Sequence, residues 1–237
     1  MQSVSRMPMI QESRLTQHIS ISMVCASTAH ALRAGIPTCI RTYTVSANQG
    51  PDCTIVEAVR ATTATPGMFK RAVIEENGIA IPYVGGGLEC NNPTDIALRE
   101  VSLVFPDRPI ACVMSVGAGQ LHSASIPDAR IYDALLPSRL VPVIQRIATD
   151  CERTHQDLAR RFEHTSGVYF RFSTDQGMQD VDQCSAARLP EVHVHTRQYL
   201  QDTSVNNRMQ DAVRAIAARV GAVKISRECS RELKLIV

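Results

Sequence analysis

Three consecutive glycines, at positions 85–87, constrain the fold of this chain more than any other stretch of its sequence. They follow residues 79–84, whose apolar and β-branched composition predicts a short strand. Residues 91–93, Asn-Asn-Pro, then lead into a segment with helical periodicity. Glycine tolerates positive φ and lets the backbone approach other groups closely. This order indicates either a catalytic or ligand-binding loop, or a tight connection that binds no ligand.

The rest of the chain alternates between strand-like and helix-like patterns. Thr54 and Glu57 form a capping box for the first helix, and Gly221 is predicted to end the last one. The continuous apolar run 110–116 is typical of a central strand that is covered on both faces. The alternation predicts an α/β fold with layered helices. Strands are predicted at 19–26, 40–45, 79–84, 110–116 and 168–172, and helices at 55–64, 94–105, 143–164 and 205–220.

Composition excludes several classes of protein. The formal net charge of +2 is too balanced for a dedicated nucleic-acid surface, so no nucleic-acid partner is predicted. No apolar run reaches the roughly 18 residues that a transmembrane helix needs. The eight cysteines form no C-x-x-C motif and are typical of buried thiols in a reducing compartment, which predicts a cytoplasmic protein. Residues 1–18 are predicted to be loose, and residues 221–237 to form a carboxy-terminal tail.

Several catalytic and cofactor motifs are absent from the sequence. Neither G-x-G-x-x-G nor G-x-x-x-x-G-K-[ST] occurs, so no nucleotide site is predicted. The nucleophile motif G-x-S-x-G is also absent. Ser115 precedes Gly117 and Gly119 but lies in a strand-like run, so a structural role is predicted for it.

A zinc site is the alternative that the cysteines and histidines raise. Cys151, His155 and His164 lie on one predicted helix, and His193 and His195 would point to the same side of an extended segment. Such a helix set and strand pair could supply zinc ligands. Cysteines on helices and histidines on strands are more often packed or solvated, so no metal is predicted.

The glycine loop and its neighbours resemble the patatin-like phospholipase family. Residues 85–94, Gly-Gly-Gly-Leu-Glu-Cys-Asn-Asn-Pro-Thr, are similar to the family's D-G-G-L-x-x-N-N-P-T segment, and residues 115–119 resemble its S-x-G-T-G strand end. Residues 148–156 and 169–179 resemble the carboxy-terminal part of fungal members. The resemblance covers residues 19–220, which predicts a partial patatin-like domain over that range. The motif loop consists of Gly85, Gly86, Gly87, Asn91, Asn92 and Pro93.

The resemblance implies an acyl hydrolase that needs no metal or organic cofactor. Family members cleave acyl esters of lipids or phospholipids, peripherally to membranes, with a serine–aspartate dyad. The serine lies in G-x-S-x-G, the aspartate begins the D-G-G segment, and a glycine-rich loop upstream donates to the oxyanion. The implied fold is α/β, with layered helices around a central, mostly parallel sheet. That sheet is expected to be incomplete at its amino-terminal side, because the half-domain that carries the nucleophile is not in the sequence.

The resemblance also implies that no catalytic residue is intact. Gly85 occupies the position of the dyad aspartate, and the nucleophile serine is absent. Loss of a nucleophile or its partner costs on the order of 10⁴–10⁶ in rate. Glu89 is the nearest carboxylate, but its different backbone position makes it a poor substitute. Asp95 begins a helix, where the helix dipole favours an acidic residue.

Three functional hypotheses follow from these residues. The first is a truncated, catalytically inactive patatin-like phospholipase. The second is an active lipid acyl hydrolase whose sequence is incomplete here. The third is a non-enzymatic interaction module, in which a protein partner or a second copy of the chain covers the exposed sheet edge.

Overall fold

The computed structural model describes residues 23–28, 37–46, 49–66, 68–88, 90–119, 150–174 and 186–224. It divides the chain into two compact units, Met1–Asn91 and Asn92–Val237. The strands are β1 (Met23–Thr28), β2 (Pro37–Arg41), β3 (Ala72–Glu76), β4 (Ile79–Gly85), β5 (Val113–Val116) and β6 (Tyr169–Phe172). The helices are α1 (Ile55–Thr63), α2 (Thr94–Val104), α3 (Glu152–Arg161), α4 (Leu189–Gln201) and α5 (Thr203–Ala218). Strands and helices in both units confirm the α/β class.

A four-stranded sheet forms the centre of the first unit. Its strand order is β2-β1-β4-β3, and every neighbouring pair is antiparallel. The prediction of a mostly parallel sheet is therefore wrong for this unit. Only residues 29–36 connect β1 to β2, and only residues 77–78 connect β3 to β4. Both connections are too short for the crossover that parallel neighbours need. The core of this unit contains Ala61 of α1 and four residues of the sheet, Ile40, Ala72, Ile74 and Tyr83.

Strand β3 was not predicted, although the sequence carries a signal for it. Asn77 and Gly78 form the two-residue turn between β3 and β4, with φ values of 52° and 79°. Two-residue hairpin turns favour this left-handed conformation, which asparagine and glycine tolerate. Across the hairpin, the Tyr83 hydroxyl donates a hydrogen bond to the Glu76 carboxylate. Burial, assisted by this bond, raises the pKa of Tyr83.

Helix α1 begins at the predicted residue, because its capping box forms as predicted. The Thr54 side chain accepts a hydrogen bond from the Glu57 N–H at 3.3 Å, and the Glu57 carboxylate accepts one from the Thr54 N–H at 2.8 Å. This reciprocal pair satisfies two backbone donors that the helix itself leaves without partners. The N–H and hydroxyl of Thr54 lower the pKa of Glu57.

In the second unit, helices pack on a short pair of parallel strands. β5 lies beside β6, with Val113 opposite Tyr169 and Val116 opposite Phe172, so parallel pairing does occur here. Helix α3 confirms 152–161 of the helix predicted at 143–164, and it ends three residues before the predicted end. Residues 143–149 lie outside the described residues. One core cluster contains Leu98, Leu158, Phe162 and Val168, and another contains Phe170, Phe172, Val205 and Ala212.

Strand β5 is shorter and more exposed than the apolar run 110–116 predicts. Its side chains Met114 and Val116 are 44% and 74% exposed. Within the described residues, β6 is its only strand neighbour. The prediction of a central strand covered on both faces is therefore wrong for this part of the chain, because apolar composition does not report how many neighbours a strand has.

The end of the last helix also differs from the prediction. Helix α5 ends at Ala218, and Arg219 takes a left-handed conformation with φ of 52°, ahead of the predicted stop at Gly221. The Ile110 N–H then donates to the Val223 carbonyl at 2.7 Å, which forms an isolated bridge. The predicted loose segment 1–18 lies outside the described residues. Among the helices that the structure describes, none is long and apolar enough to cross a membrane.

Candidate functional site

Gly85, at the predicted aspartate position, is the last residue of β4 and is buried. Its N–H donates to the Ala64 carbonyl, just beyond α1, at 3.0 Å. A Cβ atom at this position would lie 2.7 Å from the carbonyl oxygen of Thr62. Real Cβ atoms do not come so close to backbone oxygen, so the strand end packs here as bare backbone.

Of the next two glycines of the motif, Gly87 is less constrained than Gly85. Gly86 and Gly87 begin a short 3₁₀ turn, Gly86–Leu88, and the Cys90 N–H donates to the Gly86 carbonyl at 2.8 Å. A Cβ atom on Gly87 would meet only the Asn91 Oδ1, at 3.8 Å, which is ordinary contact. Glu89, the nearest carboxylate in sequence, lies outside the described residues.

In the second unit, Asn92 has a structural role that its side chain explains. It is only 5% exposed. Its Oδ1 accepts hydrogen bonds from the N–H of Thr94, at 3.3 Å, and from the Thr94 hydroxyl, at 2.6 Å. Its Nδ2 donates to the Cys151 carbonyl at 3.2 Å. Asn92 therefore fixes the start of α2 and ties it to the residue before α3. Its neighbours Asn91 and Pro93 are both exposed.

The network continues from Thr94 into the two parallel strands. The hydroxyls of Thr94 and Ser115 lie 2.8 Å apart. Arg171 donates from Nη1 to the Ser115 hydroxyl at 2.8 Å, and from Nη2 to the Cys151 Sγ at 3.4 Å. A Cβ atom on Gly117 would lie 2.4 Å from the Arg171 Nη2, so this glycine makes room for the guanidinium. These bonds support the structural role predicted for Ser115.

Arg171 is a buried cation, with 7% of its surface exposed. No carboxylate of the described residues forms an ion pair with it, and its Nε has no hydrogen-bond partner. Burial raises the pKa of the Cys151 thiol, against the opposing charge of Arg171. Burial likewise raises the pKa of Tyr169. Both groups therefore remain protonated at neutral pH and do not neutralise the guanidinium.

Arg171 was not singled out from the sequence. The available signal was a cation at an alternating position in the aromatic strand Tyr169–Phe172. Phe170 and Phe172 both belong to one core cluster, so Arg171, which lies between them, faces the opposite side of the strand. Sequence alone does not show that this opposite side is also buried.

The residues of the zinc alternative do not come together. His193 and His195 lie in α4, so the extended segment considered for them is wrong. Two residues apart on a helix, they point in different directions, because successive side chains turn by about 100°. The His155 Nδ1 lies 3.0 Å from the Tyr169 hydroxyl. Among the described residues, no group of three or more His, Cys, Asp or Glu side chains is arranged to hold a metal ion.

Comparisons with known proteins find phospholipases. The chain is 34% identical over 117 residues to calcium-independent phospholipase A2-gamma of Mus musculus, a match that covers 49% of this chain and 14% of that protein. The Homo sapiens protein of the same name is 32% identical over the same shares. Phospholipase A I of Arabidopsis thaliana is 32% identical over 65 residues, which are 27% of this chain and 5% of that protein. This chain thus spans at most 14% of the length of these relatives.

No family model and no solved structure matches the chain. The curated matches nevertheless agree with the resemblance carried by the glycine and asparagine motif, and the small sheets and helices are consistent with part of such a fold. About half of this chain is therefore similar to these phospholipases, which supports a patatin-like phospholipase region over that part of the chain.

Proposed function

We propose that this patatin-like region does not hydrolyse acyl esters. The observation that carries the proposal is the packing of Gly85, where a Cβ atom would lie 2.7 Å from the Thr62 carbonyl oxygen. The resemblance aligns this residue with the dyad aspartate. A strand end that excludes even a methyl group offers no space for a carboxylate that must orient a nucleophile.

The chemistry of the dyad adds to this proposal. Acyl transfer needs an activated nucleophile, a partner that accepts its proton, and donors for the oxyanion. The 237 residues contain no G-x-S-x-G motif, and glycine at position 85 can accept no proton. Each of these losses costs on the order of 10⁴–10⁶ in rate in enzymes of this kind.

A second candidate is an active lipid acyl hydrolase whose nucleophile belongs to sequence outside these 237 residues. The match to relatives named phospholipases, of which this chain spans at most 14%, favours it. Its substrate would be an acyl ester of a lipid or phospholipid. It requires either that another carboxylate replace the dyad aspartate or that the end of β4 move away from α1.

The first experiment measures fatty-acid release from phosphatidylcholine vesicles, and alcohol release from a short-chain aryl ester. The purified 237-residue chain is compared with a heat-inactivated sample and with Ser115→Ala. We expect no release above the heat-inactivated control. Release by the natural chain would contradict the proposal, and its loss in a Ser115→Ala variant that keeps the natural circular dichroism spectrum would point to Ser115 as the nucleophile.

The same assay on a longer chain that carries upstream sequence separates the two candidates. Release there, but not from the 237 residues, would support the active hydrolase. Labelling with a fluorophosphonate probe, which reacts with activated serines, gives a second readout that does not depend on the choice of ester. If neither chain releases product and neither is labelled by the probe, the result supports an inactive region.

The third hypothesis, a non-enzymatic interaction module, stays a prediction. In the first unit, β2 and β3 are the outer strands of the described sheet, and a partner strand would add at such an edge. A protein partner or a second copy of the chain is the proposed occupant. We further propose that the protein acts in the cytoplasm, as its cysteines favour, and peripherally to membranes, as the patatin-like resemblance implies.

A further inference from the structure

The second unit contains a cavity of about 190 Å³ whose walls carry two arginines. We call it the arginine cavity. Its polar walls come from His155, Tyr169, Arg171 and Arg208, and Ser166 adds a hydroxyl. Phe162 forms part of the apolar wall. The volume is well above what one water molecule needs, so it can hold a polyatomic ion.

Arg171 gives the cavity a charge that the surrounding protein does not balance. A buried cation is costly unless an opposite charge lies beside it. Its Nη1 and Nη2 donate to a hydroxyl and a thiol, both of which are neutral. Within the described residues, no acid forms an ion pair with it. The described residues therefore leave this charge unbalanced.

Arg208 brings a second guanidinium to the same cavity. Its Nη2 donates to the backbone carbonyl of Arg171 at 3.0 Å, and its guanidinium carbon lies 5.7 Å from the centre of the Phe172 ring. These contacts fix the side chain although Arg208 is exposed. Because arginine has five N–H donors and no acceptor, donors remain for a bound anion.

The acidic residues around the cavity do not cancel this charge. The charge of Glu152 raises the pKa of both Tyr169 and Cys151, and the charge of Asp150 also raises that of Cys151. Neither acid lines the cavity. The aspartates of α2, α3 and α5 pair with other arginines. These pairs are Asp95 with Arg99 and Arg161, Asp157 with Arg160, and Asp211 with Arg214.

We propose that the arginine cavity binds a phosphate group, either as free phosphate or as the head group of a phospholipid. Two guanidinium groups and the hydroxyls of Tyr169 and Ser166 match an anion that presents several acceptor oxygens around one centre. The proposal does not rest on the presence or absence of hydrolysis.

The test titrates inorganic phosphate into the full 237-residue chain by calorimetry, with ionic strength held constant by sodium chloride. Arg208→Gln is the test variant, because this side chain is exposed and belongs to neither core cluster of the second unit. Arg214→Gln is the matched control, since it removes the same charge from the same helix outside the cavity. We expect Arg208→Gln to weaken phosphate binding about tenfold or more, and Arg214→Gln to leave it unchanged.

Two further arms identify the ligand. Arg171→Gln is expected to abolish phosphate binding, and its circular dichroism spectrum checks that the variant folds. If it does not fold, the comparison of Arg208→Gln with Arg214→Gln decides the question. Flotation with phosphatidylcholine vesicles, with and without phosphatidic acid, separates the sources. Vesicle binding that Arg208→Gln loses and Arg214→Gln keeps identifies a lipid head group, whereas phosphate binding without vesicle binding identifies free phosphate.

Three results would overturn the proposal. The natural chain releases no heat with phosphate at millimolar concentration. Arg208→Gln and Arg214→Gln bind phosphate equally well. Acetate binds as tightly as phosphate, which would show a site for carboxylates.

Discussion

Residues of one sequence motif have different structural roles in the two units. They form the end of β4 in the first unit, and they belong to the network around Arg171 in the second. At Gly85 the backbone of the strand packs directly against the end of α1, and no side chain fits between them. At Asn92 every polar atom of the side chain is bonded, and the network leads to a buried cation. The first region is determined by close packing, and the second by hydrogen bonds and charge.

This difference separates structural from chemical roles within the motif. Gly85 and Asn92 both have clear structural explanations, and neither explanation requires catalysis. A motif can therefore be recognisable because its residues hold the backbone in place. The buried cation of the described residues is instead Arg171, which the motif does not include.

The largest expected effect comes from introducing an acid at the end of β4. Gly85→Asp should lower the free energy of unfolding by about 3 kcal/mol or more, because it combines overpacking against the Thr62 carbonyl with burial of a carboxylate. Urea unfolding followed by circular dichroism measures this. Gly87→Ala is the matched control and should change stability by less than about 0.5 kcal/mol. Equal stability of Gly85→Asp and the natural chain would show that this strand end is not packed as described.

A smaller loss is expected from the hydrogen-bond network. Asn92→Ala should cost about 2 kcal/mol, because it leaves the Cys151 carbonyl and the start of α2 without their partner. The same urea titration measures it. Asn207→Ala, an exposed position on α5, is the control and should stay within about 0.5 kcal/mol. Similar values for the two variants would contradict the role assigned to Asn92.

The smallest expected effect is at the start of α1 and depends on pH. Thr54→Ala should cost about 1 kcal/mol at neutral pH. The pKa of Glu57 is lowered in the folded state, so its contribution is present above the ordinary glutamate pKa of about 4.3 and is lost as pH falls below it. The Glu57 side chain is only partly buried, so solvent screens it and its contribution to stability is modest. The stability gap between Thr54→Ala and the natural chain should therefore narrow in acid, and a constant gap in urea titrations at both pH values would refute the assignment.

Local patterns predicted local structure well in this chain. The capping box at Thr54 and Glu57, and the positions of α1, α2, β4 and β6, depend on residues close in sequence. Local patterns failed where the structure of a segment depends on contacts with residues distant in sequence. The apolar run 110–116 could not report that β5 has one described neighbour, and the spacing of His193 and His195 could not report that their segment is helical.

The sequence by itself determined the similarity to phospholipases, the absence of G-x-S-x-G within 237 residues, and the glycine at position 85, which the resemblance aligns with an aspartate. Those conclusions need only residue identity and order. Only the tertiary structure decided that position 85 has no room for a side chain, and that Arg171 is buried beside neutral partners in a cavity. The physical reason is that steric exclusion and uncompensated charge depend on distances between residues far apart in the chain, such as Arg171 and Ser115.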